Sequence, residues 1–381
     1  MLSGAKSISP ICGIFDKSFF SHAEKSNVTD SKNTQTRTFI LPKLIKVYNN
    51  KPLINTDALL QVNAAGFEDI ALRVFRYQHQ GNALYWQYCD ALRINAHNIT
   101  RLTDIPFLPI SFFKTHRIVT DGGFAPGAQP MLTFESSGTT GETPSRHYVM
   151  NAAIYEESLL QGFEAFYGAP SRYAILALLP SYLERKNASL VHMAQQLMAR
   201  SGHADNGFYI NEWEQLHSTL ARLERQGQPT LLLGVTFALL DFAAAYPMPL
   251  RHTIVMETGG MKGRRKEWTR TEVHNYLKQQ WGLPHIHAEY GMTELLSQAY
   301  APADGIFTPT NTMRALVRDI NDPLDVQTTG SGPLCIVDLA NIHSCSFIAT
   351  EDLGIVAPGG TFQVLGRMDH SALRGCSLMA V

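Results

Sequence analysis

Continuous apolar runs alternate with amphipathic stretches through the middle of the chain. Tyr173-Ala174-Ile175-Leu176-Ala177-Leu178-Leu179 has no polar position except its first and ends at Pro180, the pattern of a strand covered on both faces. A helix is expected from Asn187, a capping residue type, towards Arg200, with Gly202 stopping it. Thr230 to Leu233 predicts a strand, followed by a helix through Ala245. His252–Met256 predicts another strand, Glu267–Trp281 an amphipathic helix and His285–Ala288 a further strand. Strands alternating with helices imply a parallel sheet with helices on both faces. After Thr328 the pattern changes to short strands (Leu334–Val337, Phe347–Thr350, Phe362–Leu365) between Gly and Asp turns, which predicts a small antiparallel subdomain.

Upstream, Leu59, Leu60, Phe67, Ile70, Ala71, Val74, Phe75, Tyr85 and Tyr88 recur at mostly helical steps from about Ala58. Residues 1–55 have little periodicity, and Ser21–Thr38 is polar and mixed, so this segment is expected to be mobile or an extension outside the fold. The expected organisation is an extension over 1–55, an α/β core over 56–328 and a small β subdomain over 329–381.

Composition narrows the function classes. With 45% hydrophobic residues in 381, the chain can bury a large core in one big domain or two. A net charge of -1 provides no basic field for nucleic acid, so no nucleic-acid partner is expected. The five cysteines, Cys12, Cys89, Cys335, Cys345 and Cys376, form no C-x-x-C pair. That argues against a disulfide framework or structural zinc and favours a reducing cytoplasm. Ile11–Phe15 is too short for a signal-peptide core and is followed by Asp16-Lys17. The longest apolar stretch, Leu231 to Tyr246, is broken by Gly234, Thr236 and Asp241, short of the roughly 20 residues that span a bilayer.

Three constellations carry candidate chemistry. Phe134-Glu135-Ser136-Ser137-Gly138-Thr139-Thr140-Gly141 combines small side chains, hydroxyls and glycines, which lets backbone N–H groups close around a phosphate. It lacks the G-x-x-x-x-G-K-[ST] pattern, and Arg146 and His147 behind it are expected to supply positive charge. Glu289-Tyr290-Gly291-Met292-Thr293-Glu294 follows a predicted strand, where α/β sheets bind ligands. Tyr290 offers a face for a base, Thr293 a hydroxyl for a phosphate and Glu294 a hard oxygen for Mg²⁺. Thr350-Glu351-Asp352-Leu353-Gly354 and Gly366-Arg367-Met368-Asp369 supply a carboxylate for ribose hydroxyls and a guanidinium for ribose or phosphate. His285, His287 and Glu289 are expected on one strand face, without an evident fourth zinc ligand. Lys262, Arg264 and Arg265 form a basic cluster that reads as solvated surface.

Together, Ser-Ser-Gly-Thr-Thr-Gly, Tyr-Gly-Met-Thr-Glu, Thr-x-Asp and Gly-Arg-x-Asp come in the order and rough spacing of the adenylate-forming superfamily. Ile105–Lys114, Leu179–Arg185, Gly259-Gly260-Met261-Lys262-Gly263 and Tyr290–Tyr300 resemble one branch, the acyl-protein synthetases of bacterial bioluminescence. The resemblance covers about Ala58 to Val381. It implies an ATP- and Mg²⁺-dependent ligase that converts a carboxylic acid, in that branch a fatty acid, to an acyl-adenylate and passes the acyl group to a thiol. Ser136, Ser137, Gly138, Thr139, Thr140, Gly141, Tyr290, Gly291, Asp352 and Arg367 would then bind the nucleotide. Thr293 and Glu294 would act on the reacting phosphate, with Glu294 on the metal, and Gly259, Gly260 and Lys262 would face the substrate.

Members of the superfamily usually continue for about another hundred residues past Gly-Arg-x-Asp, with a mobile domain that carries a catalytic lysine. The sequence given stops at Val381, twelve residues after Asp369, so that domain is expected to be missing. In its place stands Leu373-Arg374-Gly375-Cys376-Ser377-Leu378. Cys376 matches the near-terminal cysteine that takes the acyl group in the resembling branch, and a thiolate is well suited to attack an acyl-adenylate. A reductase, transferase or carrier protein would receive the acyl group next. Two other readings remain open: delivery to coenzyme A or a carrier-protein thiol, and an inactive nucleotide-binding module.

Overall fold

The computed structural model describes residues 55–125, 127–136, 143–180, 187–259 and 268–368. Among the sequence-derived candidates, Ser137–Gly141, Gly260, Lys262 and Cys376 lie outside the described residues, as does all but the last residue of the 1–55 segment.

A seven-stranded sheet carries the α/β half. Its spatial order is Thr308–Pro309, Ala299–Ala301, His287–Tyr290, Thr253–Thr258, Thr230–Val235, Ala174–Leu178 and Gly207–Phe208. From Gly207–Phe208 through His287–Tyr290 the pairing is parallel; the two remaining strands add antiparallel. Every residue of Ala174–Leu178 and Thr230–Val235 is buried, which is why these strands read as uninterrupted apolar runs. The helices Ala152–Tyr167, Ser189–Ser201, Trp213–Gln226, Thr236–Ala245 and Arg270–Trp281 intervene along the chain.

Several boundaries move from their predicted places, each for a local reason. Asn187 does not cap its helix, which starts at Ser189 after Ala188; the Asn187 carbonyl instead accepts the Glu135 N–H. The helix expected from Glu267 starts at Arg270, because Thr269 and Glu272 form a reciprocal capping box. The last parallel strand is His287–Tyr290 rather than His285–Ala288, so Glu289 and Tyr290 end the strand instead of following it.

The predicted C-terminal strands do not stand alone. Gly330–Asp338, Phe347–Val356 and Phe362–Arg367 pair antiparallel, but Met313–Arg318 and Val326–Gln327 extend the same sheet on one side. On the other side Leu108–Pro109 joins Phe347–Val356 in parallel. The helices Phe67–Gly81 and Ala83–Ala91 meet this sheet through Phe75, Tyr85, Phe107 and Phe347, whose rings lie 6.1–6.2 Å apart in edge-on and stacked pairs. Polar bonds reinforce the contact. Gln78 Nε2 donates to the Asn341 carbonyl at 2.9 Å, and Gln78 Oε1 accepts from the Ser346 N–H at 2.9 Å. Among the described residues no helix is long and apolar enough to cross a membrane.

Candidate active site

The polar loop springs from a hairpin of Leu132–Glu135 with Arg146–Val149. Its stem is closed by two bonds: the Ser136 N–H donates to the Ser145 carbonyl at 3.0 Å, and the Ser145 N–H donates to Ser136 Oγ at 2.9 Å. Arg146 does not serve as a free cation, since its Nε pairs with Glu135 Oε1 at 3.0 Å on the outer face. His147 supplies no positive charge either. It is fully buried, and burial pushes its imidazole down to about 4. Its Nδ1–H donates to the Thr293 carbonyl at 2.9 Å, so the neutral ring carries its proton on Nδ1.

The strand His287–Tyr290 delivers the second constellation to the same place. Tyr290 is 7% exposed, with its ring against Phe307 and Phe362 at centroid distances of 5.7 and 5.2 Å. It therefore offers a limited edge to a ligand rather than an open face. Its hydroxyl donates to Asp352 Oδ2 at 2.9 Å, and Arg367 Nε lies 3.3 Å from Asp352 Oδ1. Three residues chosen from three separate motifs thus form one chain of contacts. Glu294 is buried, which pushes its carboxyl up, while the Ser145 hydroxyl and the Arg367 charge pull the other way. The loop stem, Glu294 and Arg367 therefore share one electrostatic neighbourhood.

Gly291 leaves room for its neighbour: a Cβ there would strike the Glu289 carboxylate and force it to shift. Glu289 is buried, and its carboxyl is raised to about 7 by desolvation, with the Thr258 hydroxyl opposing the shift from 2.6 Å and Glu257 adding to it. Glu257, on the adjacent strand, behaves differently. Burial alone would raise it, but His274, Arg270 and Thr236 outweigh burial and hold it below its ordinary value. Arg270 Nε is 3.1 Å from Glu257 Oε1. The Thr236 hydroxyl lies 2.6 Å from Glu257 Oε2 and 2.8 Å from the Gly259 carbonyl, so Gly259, at φ +80°, sits at the carboxyl end of the sheet beside this acid cluster.

His285 stands outside the strand, so His285, His287 and Glu289 do not share one strand face. His287 meets the Tyr167 hydroxyl at 3.3 Å, and burial lowers it to about 4. Among the described residues no group of three or more His, Cys, Asp or Glu could hold a metal ion.

Sequence reasoning missed the buried layer behind Thr293–Glu294. Asn341 Nδ2 donates to the Glu294 carbonyl at 2.8 Å. Asp338 Oδ2 accepts the Leu296 and Ser297 N–H groups at 2.6 and 3.1 Å, while Oδ1 accepts the Ser297 hydroxyl at 2.6 Å. The available signal was Asp338 closing the apolar run Leu334–Val337, a polar residue that caps the turn after its strand.

No family model matches the chain. A long-chain-fatty-acid–luciferin-component ligase from Photorhabdus luminescens is 27% identical over 121 residues, which is 32% of this chain and 90% of that protein. A 2-hydroxyisobutyryl-CoA ligase, solved with 2-HIB-AMP and CoA, has a TM-score of 0.55 at 12% identity, over 83% of this chain and 70% of its own. ATP-bound MatB from Rhodopseudomonas palustris has a TM-score of 0.45 at 17% identity, over 62% of this chain; the matched part is 47% of MatB, about half its length. The sequence likeness to an acid ligase thus extends over about a third of the chain, and the fold likeness to an acyl-CoA ligase over most of it.

Proposed function

Starting from an adenylate-forming fold, we propose that this chain uses ATP to activate a carboxylic acid, a long-chain fatty acid as first candidate, and passes the acyl group to Cys376. The observation that carries the reading is the contact chain Tyr290–Asp352–Arg367 beside Glu294 and the stem of the polar loop. Adenine lies against the exposed edge of Tyr290. The ribose hydroxyls bond to Asp352, whose oxygens keep lone pairs free after accepting from Tyr290 and Arg367. The phosphates rest over Ser136–Gly141, and Gly259, Gly260 and Lys262 border the acid.

A substrate carboxylate oxygen attacks the α-phosphorus, the bond to the β-phosphate oxygen breaks and pyrophosphate leaves. The Cys376 thiolate then attacks the acyl carbon and AMP departs. Both steps develop charge on oxygen, so positioned donors do most of the work. Thr293 would donate to the phosphate. Glu294 fits a magnesium site, because its buried carboxylate is an unfavourable charge that a hard divalent cation would stabilise; the ion neutralises phosphate charge when bound.

Three of the other four cysteines are poorly suited to the role. Cys89, Cys335 and Cys345 are buried, and burial pushes their thiols up to about 12, which leaves little nucleophilic thiolate near neutral pH. A cytoplasmic setting, where thiols stay reduced, suits this chemistry.

The test is ATP–pyrophosphate exchange with a panel of fatty and aryl acids, then intact mass of the protein. Exchange with one acid class and a mass gain of one acyl group, lost in Cys376→Ala, is expected. Exchange without a mass gain, with acyl-CoA formed on adding coenzyme A, would shift the acceptor to a free thiol. No exchange with any acid would end the activation reading.

A further inference from the structure

Thr293 and Glu294, which act on the phosphates in the proposed activation, sit on a turn that is held from outside its own segment. Two buried side chains from different elements grip its main chain. His147, on the hairpin strand Arg146–Val149, donates Nδ1–H to the Thr293 carbonyl at 2.9 Å. Asn341, at the end of the turn Leu339–Asn341, donates to the next carbonyl, that of Glu294, at 2.8 Å. His147 also stands two residues after Ser145, which closes the stem of the polar loop and bears on the Glu294 carboxyl.

His147 is an expensive choice for packing alone. The ring is fully buried with an edge-on contact to Phe113 at 5.6 Å, a place where an aliphatic side chain would avoid desolvating two nitrogens. Its Nε2 and the Asn341 Oδ1 are both buried and lack a hydrogen-bond partner among the described residues. The two side chains also act on each other, which keeps both beside the turn whose carbonyls they bond.

We infer that His147 is a positioning residue: its Nδ1–H holds the Thr293–Glu294 turn in register with the hairpin stem at Ser136 and Ser145, so that groups acting on the nucleotide phosphates stay aligned. This rests on the activation reading. His147 touches neither substrate in this account; it acts through the Thr293 carbonyl. Small displacements of reacting groups cost rate steeply, on the order of a hundredfold for about 1 Å, so the loss should fall on turnover more than on acid binding.

The experiment compares His147→Asn, whose Nδ2–H can replace the Nδ1–H, with His147→Leu, which cannot donate. Pyrophosphate exchange gives kcat and the KM for the acid, and thermal unfolding reports folding. His147→Leu should lose about tenfold or more in kcat with little change in the acid KM, and His147→Asn should recover most of it. A folded His147→Leu with wild-type kcat would overturn the inference, as would equal losses in the two variants. If His147→Leu does not fold, His147→Gln replaces it: its amide reaches the Nε2 position, so it should fall below His147→Asn, and equality would be contrary. Failure of the activation reading shows separately, as absence of exchange by the wild-type protein, and the inference would fall with it.

Discussion

The Tyr290 hydroxyl donates to Asp352 Oδ2 at 2.9 Å, tying the end of a parallel strand to an antiparallel strand 62 positions away. It joins the two sheets at the point where both supply nucleotide-binding candidates. Tyr290→Phe should leave the buried Asp352 short of one donor, at a stability cost of about 1–2 kcal/mol. ATP affinity should fall by about tenfold. Calorimetric titration of ATP and urea unfolding of the same variant measure the two effects, and unchanged ATP affinity would remove this pair from the site.

Glu289 predicts an unusual pH response. Its folded-state carboxyl is raised to about 7 by burial, against an ordinary value of 4.5. Between those values the folded state holds a proton that the unfolded chain has released, so this group's contribution to stability falls as pH rises through that window and then levels off. Glu289→Gln should remove the loss. Its urea midpoint relative to wild type should be higher at pH 8 than at pH 4.5; a difference independent of pH would contradict the shifted carboxyl.

Gly291→Ala should couple to the same residue. The added Cβ meets the Glu289 carboxylate and must displace it from Thr258. A destabilisation of about 1–3 kcal/mol is expected for such overpacking. Glu289→Ala in the same chain should relieve most of it, and a double-mutant cycle with no coupling would show that the clash is not the cause.

Phe347 anchors the contact between the N-terminal helices and the six-stranded sheet, being wholly buried against Phe75, Tyr85 and Phe107. Phe347→Ala should cost about 3–5 kcal/mol in denaturant unfolding. Variants that still fold should bind ATP as the wild type does, because none of these rings belongs to the site.

Apolar runs made the central sheet legible. Ala174–Leu178 and Thr230–Val235 are buried along their whole length, and their shortness, with Pro180 and Gly234 near their ends, favours covered strands over buried helix. Tyr290, Asp352 and Arg367 were legible as separate motifs, and the structure brings them together. His147 was misread as a cation because its charge depends on burial, which no local pattern encodes. Asn341 and Asp338 were missed because their partners include backbone groups of residues 41 to 47 positions distant, and such bonds leave no periodic trace. The starts of Ser189–Ser201 and Arg270–Trp281 moved because a capping residue type signals a possible helix start, while competing hydrogen bonds decide where it falls.

The pairing of Leu108–Pro109 with Phe347–Val356 also sets an order of events. Gln78 bonds to Asn341 across 263 positions, and Leu108 aligns with Ile348. The N-terminal helices therefore cannot cover Phe75 and Tyr85 until most of the polypeptide has left the ribosome. Contacts this distant in sequence are slow to form and leave apolar surface open meanwhile. Until the strand Phe347–Val356 is in place, the apolar faces of Phe75 and Tyr85 lack the ring they pack against.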